Sequence, residues 1–398
     1  MTVTGPGNAP DVVDVVALGE SMVTFLPSRS GRLADVPSFY RGIGGAESNV
    51  ACVLAAVGHS ARWVSRVGAD GFGDHLIETI GGYGVDVSSV TRDPARPTGV
   101  YFRTAGDRAT DAHEVAYYRA GSAASVMSVG NVDLGVVRTG RILHLSGITA
   151  ALSEGCLDLL RELTAPGEDR PVVSFDVNHR PGLWPDADGP HVLLELARNA
   201  DIVFVGEDEA EEAWNIKGGP TAIRALLPEP ATLVVKQGAS GATLFERTPP
   251  HLPQPHRHGP APQRTPGAPT DTTTFAPALH VDVVAAVGAG DAFAAGFLSA
   301  TLRALPARAR LRHGHLMAAA TLTTPGDLAA PPPTRHPTTA PHGASPRAER
   351  LGGPPPRRTS WIDHADRLAA LDDDAWGRLR LGPGWTQADQ APEEVRTR

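Results

Sequence analysis

A chain of 398 residues, of which 41% are hydrophobic, is long enough to bury a sizeable core in one large domain. Its formal net charge is −8, and no cluster of Lys and Arg is interleaved with aromatic residues, which argues against a nucleic-acid-binding surface. No apolar run approaches membrane-spanning length, and the first ten residues form neither a basic nor an apolar segment. We therefore expect a cytoplasmic protein with no membrane partner.

Short β-branched runs alternate with helical patterns through most of the chain, which predicts a βα series. Several runs, such as VVSF and IVFV, are apolar throughout, as is typical of strands covered on both faces. We expect an α/β fold with a mostly parallel sheet between layers of helices, and ligands beyond the carboxyl ends of its strands. The predicted strands are 12–18, 61–67, 142–145, 172–175, 202–205, 233–236 and 281–284.

Residues 22–41 and 99–119 differ from this series, because Tyr, Phe, Val and Thr alternate there with polar residues and turn signals. They predict a small antiparallel accessory sheet. Such a sheet could be a lid that excludes water from the active edge, or an ordinary edge hairpin, and the pattern alone does not separate the two.

Residues 249–270 and 331–358 are rich in Pro, with scattered His, Arg, Gly and Ala, and are predicted to be weakly ordered loops. Their His residues are interpreted as solvated, since no fixed backbone would hold a metal geometry. The predicted domain spans 11–330 with 249–270 as an insertion. Residues 359–398 are expected to regain helical character and to pack on that domain.

Two glycine-rich motifs precede helical patterns. In the first, Gly44 and Gly45 permit close backbone approach, and Asn49 can donate and accept hydrogen bonds with a polyol. In the second, residues 288–291 read GAGD after the predicted strand 281–284. A helix N-terminus offers free N–H groups and a positive dipole end to an anion. Asp291 could take a proton from a hydroxyl held there, or could only cap the helix.

Together these motifs resemble the two signatures of the ribokinase-like, or PfkB, family of carbohydrate kinases. The first covers 44–76, with a glycine spacing that continues through Gly58, Gly68, Asp70, Gly71 and Gly73, and the second covers 281–297. The resemblance extends over roughly 12–327 outside the Pro-rich insertion. It implies a three-layer α/β/α sandwich with a small β-sheet lid, and phosphoryl transfer from ATP in the presence of Mg²⁺.

The resemblance also implies roles for single residues. Asp291 would be the base, and Gly288, Ala289 and Gly290 would form the anion hole for the transferring phosphoryl group. Glu209 would contact Mg²⁺ indirectly, through water. The implied nucleotide contacts are Asn178, Lys236, Gly238, Ser240, Gly241 and Gly290.

Three parts of the chain are similar to the 2-keto-3-deoxygluconate kinases of that family: 19–22, the lid segments 98–101 and 117–123, and 176–184, which reads D-x-N-x-R-x-x-LW. A sugar-acid carboxylate suits the guanidinium fork, and Arg119 and Arg180 lie on separate segments that a fold can bring to one pocket. We therefore expect ATP-dependent phosphorylation of 2-keto-3-deoxygluconate to 2-keto-3-deoxy-6-phosphogluconate. The implied substrate contacts are Gly44, Gly45, Asn49, Tyr101, Tyr117, Arg119 and Arg180.

Two positions depart from the family pattern. Gly206 replaces the Asn of an N-x-x-E element, and Ala285 stands where relatives commonly carry an acidic residue of a monovalent-cation site. We therefore expect no K⁺ activation of the usual form. Another kinase of the family, such as a fructokinase or a nucleoside kinase, and a non-catalytic sugar-binding descendant stay open as alternatives. The sequence also leaves open whether the gluconate or the galactonate epimer is preferred and whether the protein forms a homo-oligomer.

Overall fold

A computed structural model describes residues 12–29, 31–104, 114–167, 170–184, 188–247, 271–329 and 361–386. The strands are β1 Val13–Leu18, β2 Met22–Pro27, β3 Phe39–Gly44, β4 Ala61–Gly68, β5 Val90–Asp93, β6 Val100–Arg103, β7 Val115–Tyr118, β8 Gly140–Ser146, β9 Val172–Asp176, β10 Ile202–Gly206, β11 Thr232–Lys236, β12 Gly241–Arg247, β13 Asp271–Pro277, β14 His280–Val281 and β15 Arg380–Leu381. The helices are α1 Ala46–Ala56, α2 Gly71–Gly82, α3 Leu134–Val137, α4 Gly147–Ala150, α5 Glu154–Thr164, α6 Gly189–Arg198, α7 Glu207–Trp214, α8 Gly219–Leu226, α9 Ala289–Leu302, α10 Ala307–Leu322, α11 Trp361–Ala369 and α12 Asp373–Arg378.

Nine strands form the central sheet in the order β13-β12-β11-β10-β9-β8-β1-β4-β5. The strands from β11 to β5 are parallel, and β12 and β13 add an antiparallel edge. The predicted α/β fold with a mostly parallel sheet is confirmed. Because the strands are parallel, their carboxyl ends meet at one edge, where ligands bind in such sheets.

The apolar runs of the strands fill two cores, one on each face of the sheet. Along β1, Val15 and Ala17 pack on the face covered by α1, α9 and α10, whereas Val16 and Leu18 pack on the opposite face. All four side chains are fully buried. Alternation of this kind explains why the buried strands are apolar at every position rather than at every second one.

A separate four-stranded sheet, in the order β3-β2-β6-β7, is the predicted accessory sheet. Its two outer pairs are antiparallel, while the central pair of β2 and β6 is parallel. Phe25 stacks on Phe102 with ring centroids 4.7 Å apart, and Phe39 meets Phe102 edge-on. These aromatic contacts hold the small sheet together on one of its faces.

The predicted strand 281–284 is wrong. Only His280 and Val281 form a short bridge, with β15, and the following residues are a loop in which Val283 and Val284 are 58% and 45% exposed. The backbone N–H of Val284 donates to Leu322 O at the end of α10, so this segment is tied to a helix end rather than to a strand. The β-branched residues here favoured a strand in the sequence pattern, but β12 and β13 already form this edge of the sheet.

Residues 361–386 pack on the sandwich through α11 and α12, and the rest of the predicted segment 359–398 lies outside the described residues. Trp376 is fully buried and lies under the guanidinium of Arg312 at 4.6 Å, and its Nε1 donates to Pro277 O. The Pro-rich predictions 249–270 and 331–358 lie outside the described residues. Within the described ranges, no helix combines the length and the apolar character needed to cross a membrane.

Candidate active site

The GAGD turn begins α9 at the carboxyl edge of the sheet. Gly288 has φ 77°, and a Cβ there would lie 2.2 Å from Asp327 O, so both backbone conformation and space require glycine. At Gly290, by contrast, the nearest atom to the position that a Cβ would take is Lys236 Nζ at 3.6 Å. The turn is thus packed against Asp327 at Gly288 but leaves space at Gly290, as an anion site at a helix N-terminus requires.

Asp291 lies in the first turn of α9 and faces Asn49 of α1. Asn49 Nδ2 donates to Asp291 Oδ2 at 2.8 Å, which joins the two predicted signatures in one site. Although the residue keeps some exposed surface, burial of its carboxyl group raises the pKa of Asp291 to about 7, and the hydrogen bond from Asn49 acts against this rise. Asn49 Oδ1 is buried without a partner among the described residues, so it can accept a hydrogen bond from a ligand.

A second buried pair lies beside this carboxyl group. Lys236, at the end of β11, donates to both carboxylate oxygens of Asp176, at the end of β9, over 2.9 and 3.1 Å. Burial disfavours the ammonium, but the carboxylates of Asp176 and Glu209 outweigh this effect and raise the pKa of Lys236. Burial also raises the pKa of Asp176, against the effect of Lys236. Lys236 is therefore a charged ammonium at neutral pH, next to the open turn.

Glu209 and Arg180 complete the charged cluster. Glu209 Oε2 accepts the N–H of Gly206 at 2.9 Å, while Oε1 is 3.5 Å from Arg180 Nη1. Burial opposes its ionisation, yet Lys236 and the N–H of Gly206 together lower the pKa of Glu209. One carboxylate oxygen thus caps α7, and the other is only weakly engaged. That oxygen fits an indirect contact with Mg²⁺, although the described residues contain no group of three metal-ligating side chains.

The accessory sheet reaches the GAGD turn through Asp327. Tyr101 OH and Arg103 Nη2, both from β6, donate to the two carboxylate oxygens of Asp327 at 2.8 Å each. The backbone of Asp327 covers Gly288, and a Cβ at Gly44 would lie 2.2 Å from Tyr101 OH. The small sheet therefore sits directly over the site, in the position expected of a lid.

Arg119 and Tyr117 lie further out on the small sheet. They line a cleft of about 830 Å³ together with Asp70, Thr98 and Tyr118. The ring of Tyr117 is 5.5 Å from that of Tyr101, and the guanidinium of Arg119 lies 6.0 Å from the Tyr117 ring.

The charge of Arg119 is already compensated. Its Nη2 pairs with Glu20, which is buried, while its Nε is buried without a partner among the described residues. Arg119 and Arg180 thus have different partners. The charge of Arg180 acts to lower the pKa of Asp291, whereas the charge of Arg119 acts to lower the pKa of the buried Glu47.

The predicted nucleotide residues lie at two turns. Gly238 has φ 55° and Gly241 has φ 140°, and they flank the exposed turn between β11 and β12 that also contains Ser240. Asn178 follows β9 with φ 44°, an uncommon conformation for a residue other than glycine that is often found at functional sites. Both turns lie beyond strands that end at the same edge as Asp291.

Two residues at the site were not assigned a role from sequence. Asp176 opens the D-x-N-x-R segment at a strand end, and that position alone could have suggested a site residue. Asp327 follows α10 in a segment without motif or periodicity. Only its contacts with Tyr101, Arg103 and Gly288 reveal it.

Comparison with known proteins finds a matching family and several similar chains. The profile of the pfkB family carbohydrate kinases matches residues 13–335. The chain is 33% identical to the 2-dehydro-3-deoxygluconokinase of Bacillus subtilis over 324 residues, which cover 79% of this chain and 91% of that protein. It is 29% identical to the probable fructokinase-6, chloroplastic, of Arabidopsis thaliana, over 74% of this chain and 71% of that one. The crystal structure of a PfkB protein from Polaromonas sp. JS666 superposes with a TM-score of 0.65 at 30% identity, over 77% of this chain and 95% of that chain.

Proposed function

Because the chain belongs to the pfkB family of carbohydrate kinases, we propose that it transfers the γ-phosphoryl group of ATP to a hydroxyl of 2-keto-3-deoxygluconate. The product would be 2-keto-3-deoxy-6-phosphogluconate. The observation that carries this proposal is the position of Asp291: an Asn49-bound carboxyl group with a pKa of about 7, on an open helix N-terminus. A base of that pKa is half ionised at neutral pH, which suits proton abstraction from a hydroxyl.

The proposed reaction has one displacement step. Asp291 accepts the proton of the sugar hydroxyl while the oxygen of that hydroxyl bonds to the γ-phosphorus. At the same time the bond between the γ-phosphorus and the β–γ bridging oxygen breaks, and ADP leaves. The N–H groups of the 288–290 turn and the Lys236 ammonium stabilise charge on the transferring group. Mg²⁺, when bound, neutralises phosphate charge, and Glu209 would hold it through water.

The nucleotide is proposed to lie along the two turns beyond β9 and β11, on Asn178, Gly238, Ser240 and Gly241. The positive φ angles of three of these residues support the proposal, because such backbone turns expose N–H groups to phosphate. The open face of Gly290 would meet the terminal phosphoryl group.

The sugar acid is proposed to lie between the lid and Asp291, on the backbone of Gly44 and Gly45 and against Tyr101 and Tyr117. The unpartnered Asn49 Oδ1 suits a sugar hydroxyl, and the unpartnered Arg119 Nε suits a carboxylate oxygen. Arg180 is the second candidate for the carboxylate, since Glu209 engages it only at 3.5 Å. Fructose is the second candidate substrate, because relatives named fructokinases are 28% or 29% identical.

A coupled assay of ADP release tests the proposal. The purified protein is given ATP and Mg²⁺ with 2-keto-3-deoxygluconate, its galactonate epimer or fructose. We expect the highest kcat/KM with one of the two sugar acids, and a fall of about 10²–10⁴-fold in kcat for Asp291→Asn. Faster turnover of fructose would overturn the substrate, and unchanged turnover of Asp291→Asn would overturn the base. Absence of turnover with every sugar would favour the non-catalytic alternative.

A further inference from the structure

Asp176 and Lys236 point to the same face of the central sheet. In the register of the sheet, Asp176 lies opposite Phe204, and Gly206, two residues further along β10, lies opposite Lys236. Phe204 packs against Phe297 of α9, so these positions face α9. Because β10 lies between β11 and β9, the Lys236 side chain spans β10 to reach Asp176.

The Lys236 ammonium has one N–H donor that its hydrogen bonds with the described residues do not use. An ammonium has three N–H donors. Among the described residues its hydrogen bonds go to the two oxygens of Asp176, and its nitrogen lies 3.6 Å from the position that a Cβ would take on Gly290. The third donor is therefore available on the side of the GAGD turn.

Fixing a long lysine side chain costs rotamer entropy. Two hydrogen bonds to a carboxylate that is itself 2% exposed fix it in advance, before any ligand arrives. A cation fixed in advance stabilises developing charge without reorganisation during the reaction.

We propose that Asp176 is a positioning residue for phosphoryl transfer, which holds the Lys236 ammonium against the amino-terminal turn of α9 where the terminal phosphoryl group lies. This inference rests on the proposed use of ATP, but it does not depend on which sugar accepts the phosphoryl group. Asp176 acts on the phosphoryl group through Lys236, but its charge also raises the pKa of Asp291. The variants are therefore compared at a pH where Asp291 is fully ionised, and there the effect of Asp176 must vanish when the ammonium is removed.

A double-mutant cycle of Asp176→Asn and Lys236→Met tests the inference, with kcat measured on whichever sugar gives turnover. We expect each single variant to lower kcat by 10-fold or more, and the double variant to be no slower than Lys236→Met within twofold. The matched control is Asp271→Asn. Asp271 forms a bidentate pair with Arg224, with distances of 2.6 and 2.8 Å, and this pair lies away from the site, so the variant should leave kcat unchanged. Independent, multiplying losses, or an Asp176→Asn variant within threefold of wild type, would overturn the inference.

Binding to nucleotides separates this inference from the proposed substrate. The affinities of the full-length protein for ADP and for a non-hydrolysable ATP analogue are measured by calorimetry, without any sugar. We expect each single variant to lower the ratio of the affinity for the ATP analogue to that for ADP at least threefold. The two factors should agree within twofold. A preference retained in Asp176→Asn but lost in Lys236→Met would reject a positioning role, whichever sugar proves to be the substrate.

Discussion

Two influences compete at the carboxyl group of Asp291. Burial and the negative charge of Asp176 favour its neutral form, whereas Asn49 and the nearby cations favour the carboxylate. A base must be ionised to act, so kcat/KM should fall about tenfold per pH unit below about pH 7. The proposed reaction is therefore tuned by the neighbours of Asp291 as much as by Asp291 itself.

Asn49→Ala tests that tuning. Removing the hydrogen bond withdraws an effect that lowers the pKa of Asp291, so the acidic limb of the kcat/KM profile should move to higher pH. The profile is measured between pH 5 and 9, with Asn131→Ala, on a surface turn, as the control. A limb that stays in place, or moves to lower pH, would contradict this interpretation of the site.

Asp291→Asn should stabilise the fold at high pH while it removes activity. The pKa in the folded protein lies above the ordinary value of 3.8, so the native state holds the proton more tightly, and the contribution of Asp291 to stability falls as the pH rises from about 4 to about 7. The neutral amide avoids this loss. In urea titrations we expect a gain of about 1–3 kcal/mol at pH 8 and a much smaller difference at pH 4. A loss of stability at pH 8 would show that the carboxylate is favourably held.

Arg180→Lys separates charge from geometry in the proposed carboxylate contact. Lysine keeps the positive charge but not the guanidinium fork, so KM for the sugar acid should rise several-fold, and more than KM for fructose. Both constants come from initial rates at saturating ATP. Lys217→Arg, which alters an exposed pair with Glu211, provides a control that should change neither constant. Equal effects on acid and neutral sugar would argue against carboxylate recognition by Arg180.

At the scale of elements, the site depends on how a helix end, strand ends and the lid meet. The predicted strands of the βα series are found within a few residues of their observed bounds, because continuous apolar runs flanked by helical patterns have few other solutions. The exception is 281–284, where the same residue types lie exposed in a loop. The two signatures assigned Asn49 and Asp291 to one site. The contacts of Asp327 with Tyr101 and Arg103 could not be predicted, since they join β6 to the segment after α10.

Asp327→Asn should loosen the lid. It leaves the buried guanidinium of Arg103 without its counter-charge, a change that typically costs about 3–5 kcal/mol, and it weakens the acceptor for Tyr101. We expect KM for the sugar to rise at least fivefold, with a smaller change in KM for ATP, because the lid covers the proposed sugar site. Steady-state kinetics in both substrates, beside Asp271→Asn as a control, provides the measurement. Equal changes in the two KM values would mean that Asp327 does not act on the sugar side.

At the scale of the whole molecule, a chain of contacts connects the C-terminal segment with the loop before the GAGD turn. β15 pairs with β14, and Asp282 N donates to Leu381 O, so the C-terminal segment holds the loop that leads into the GAGD turn. Composition and pattern predicted that residues after 360 would be helical. They could not predict which surface those helices cover, because that depends on contacts between distant segments, such as the half-buried pair of Arg303 with Asp366 at 2.7 Å.

Trp376→Ala tests how far this segment stabilises the sandwich. The side chain is fully buried, packs under Arg312 and donates to Pro277 O, so its truncation leaves a large cavity and an unpaired carbonyl. We expect a loss of about 3–5 kcal/mol in the free energy of unfolding, measured by urea titration. Arg308→Ala, which breaks a pair that is more than half exposed on both sides, should cost less than about 1 kcal/mol. Since α12 also anchors β15 beside the loop before the GAGD turn, the kcat of Trp376→Ala should fall in parallel with its folded fraction and not before it. A fall in kcat while the protein is still fully folded would mean that the C-terminal segment positions the turn as well as stabilising the core.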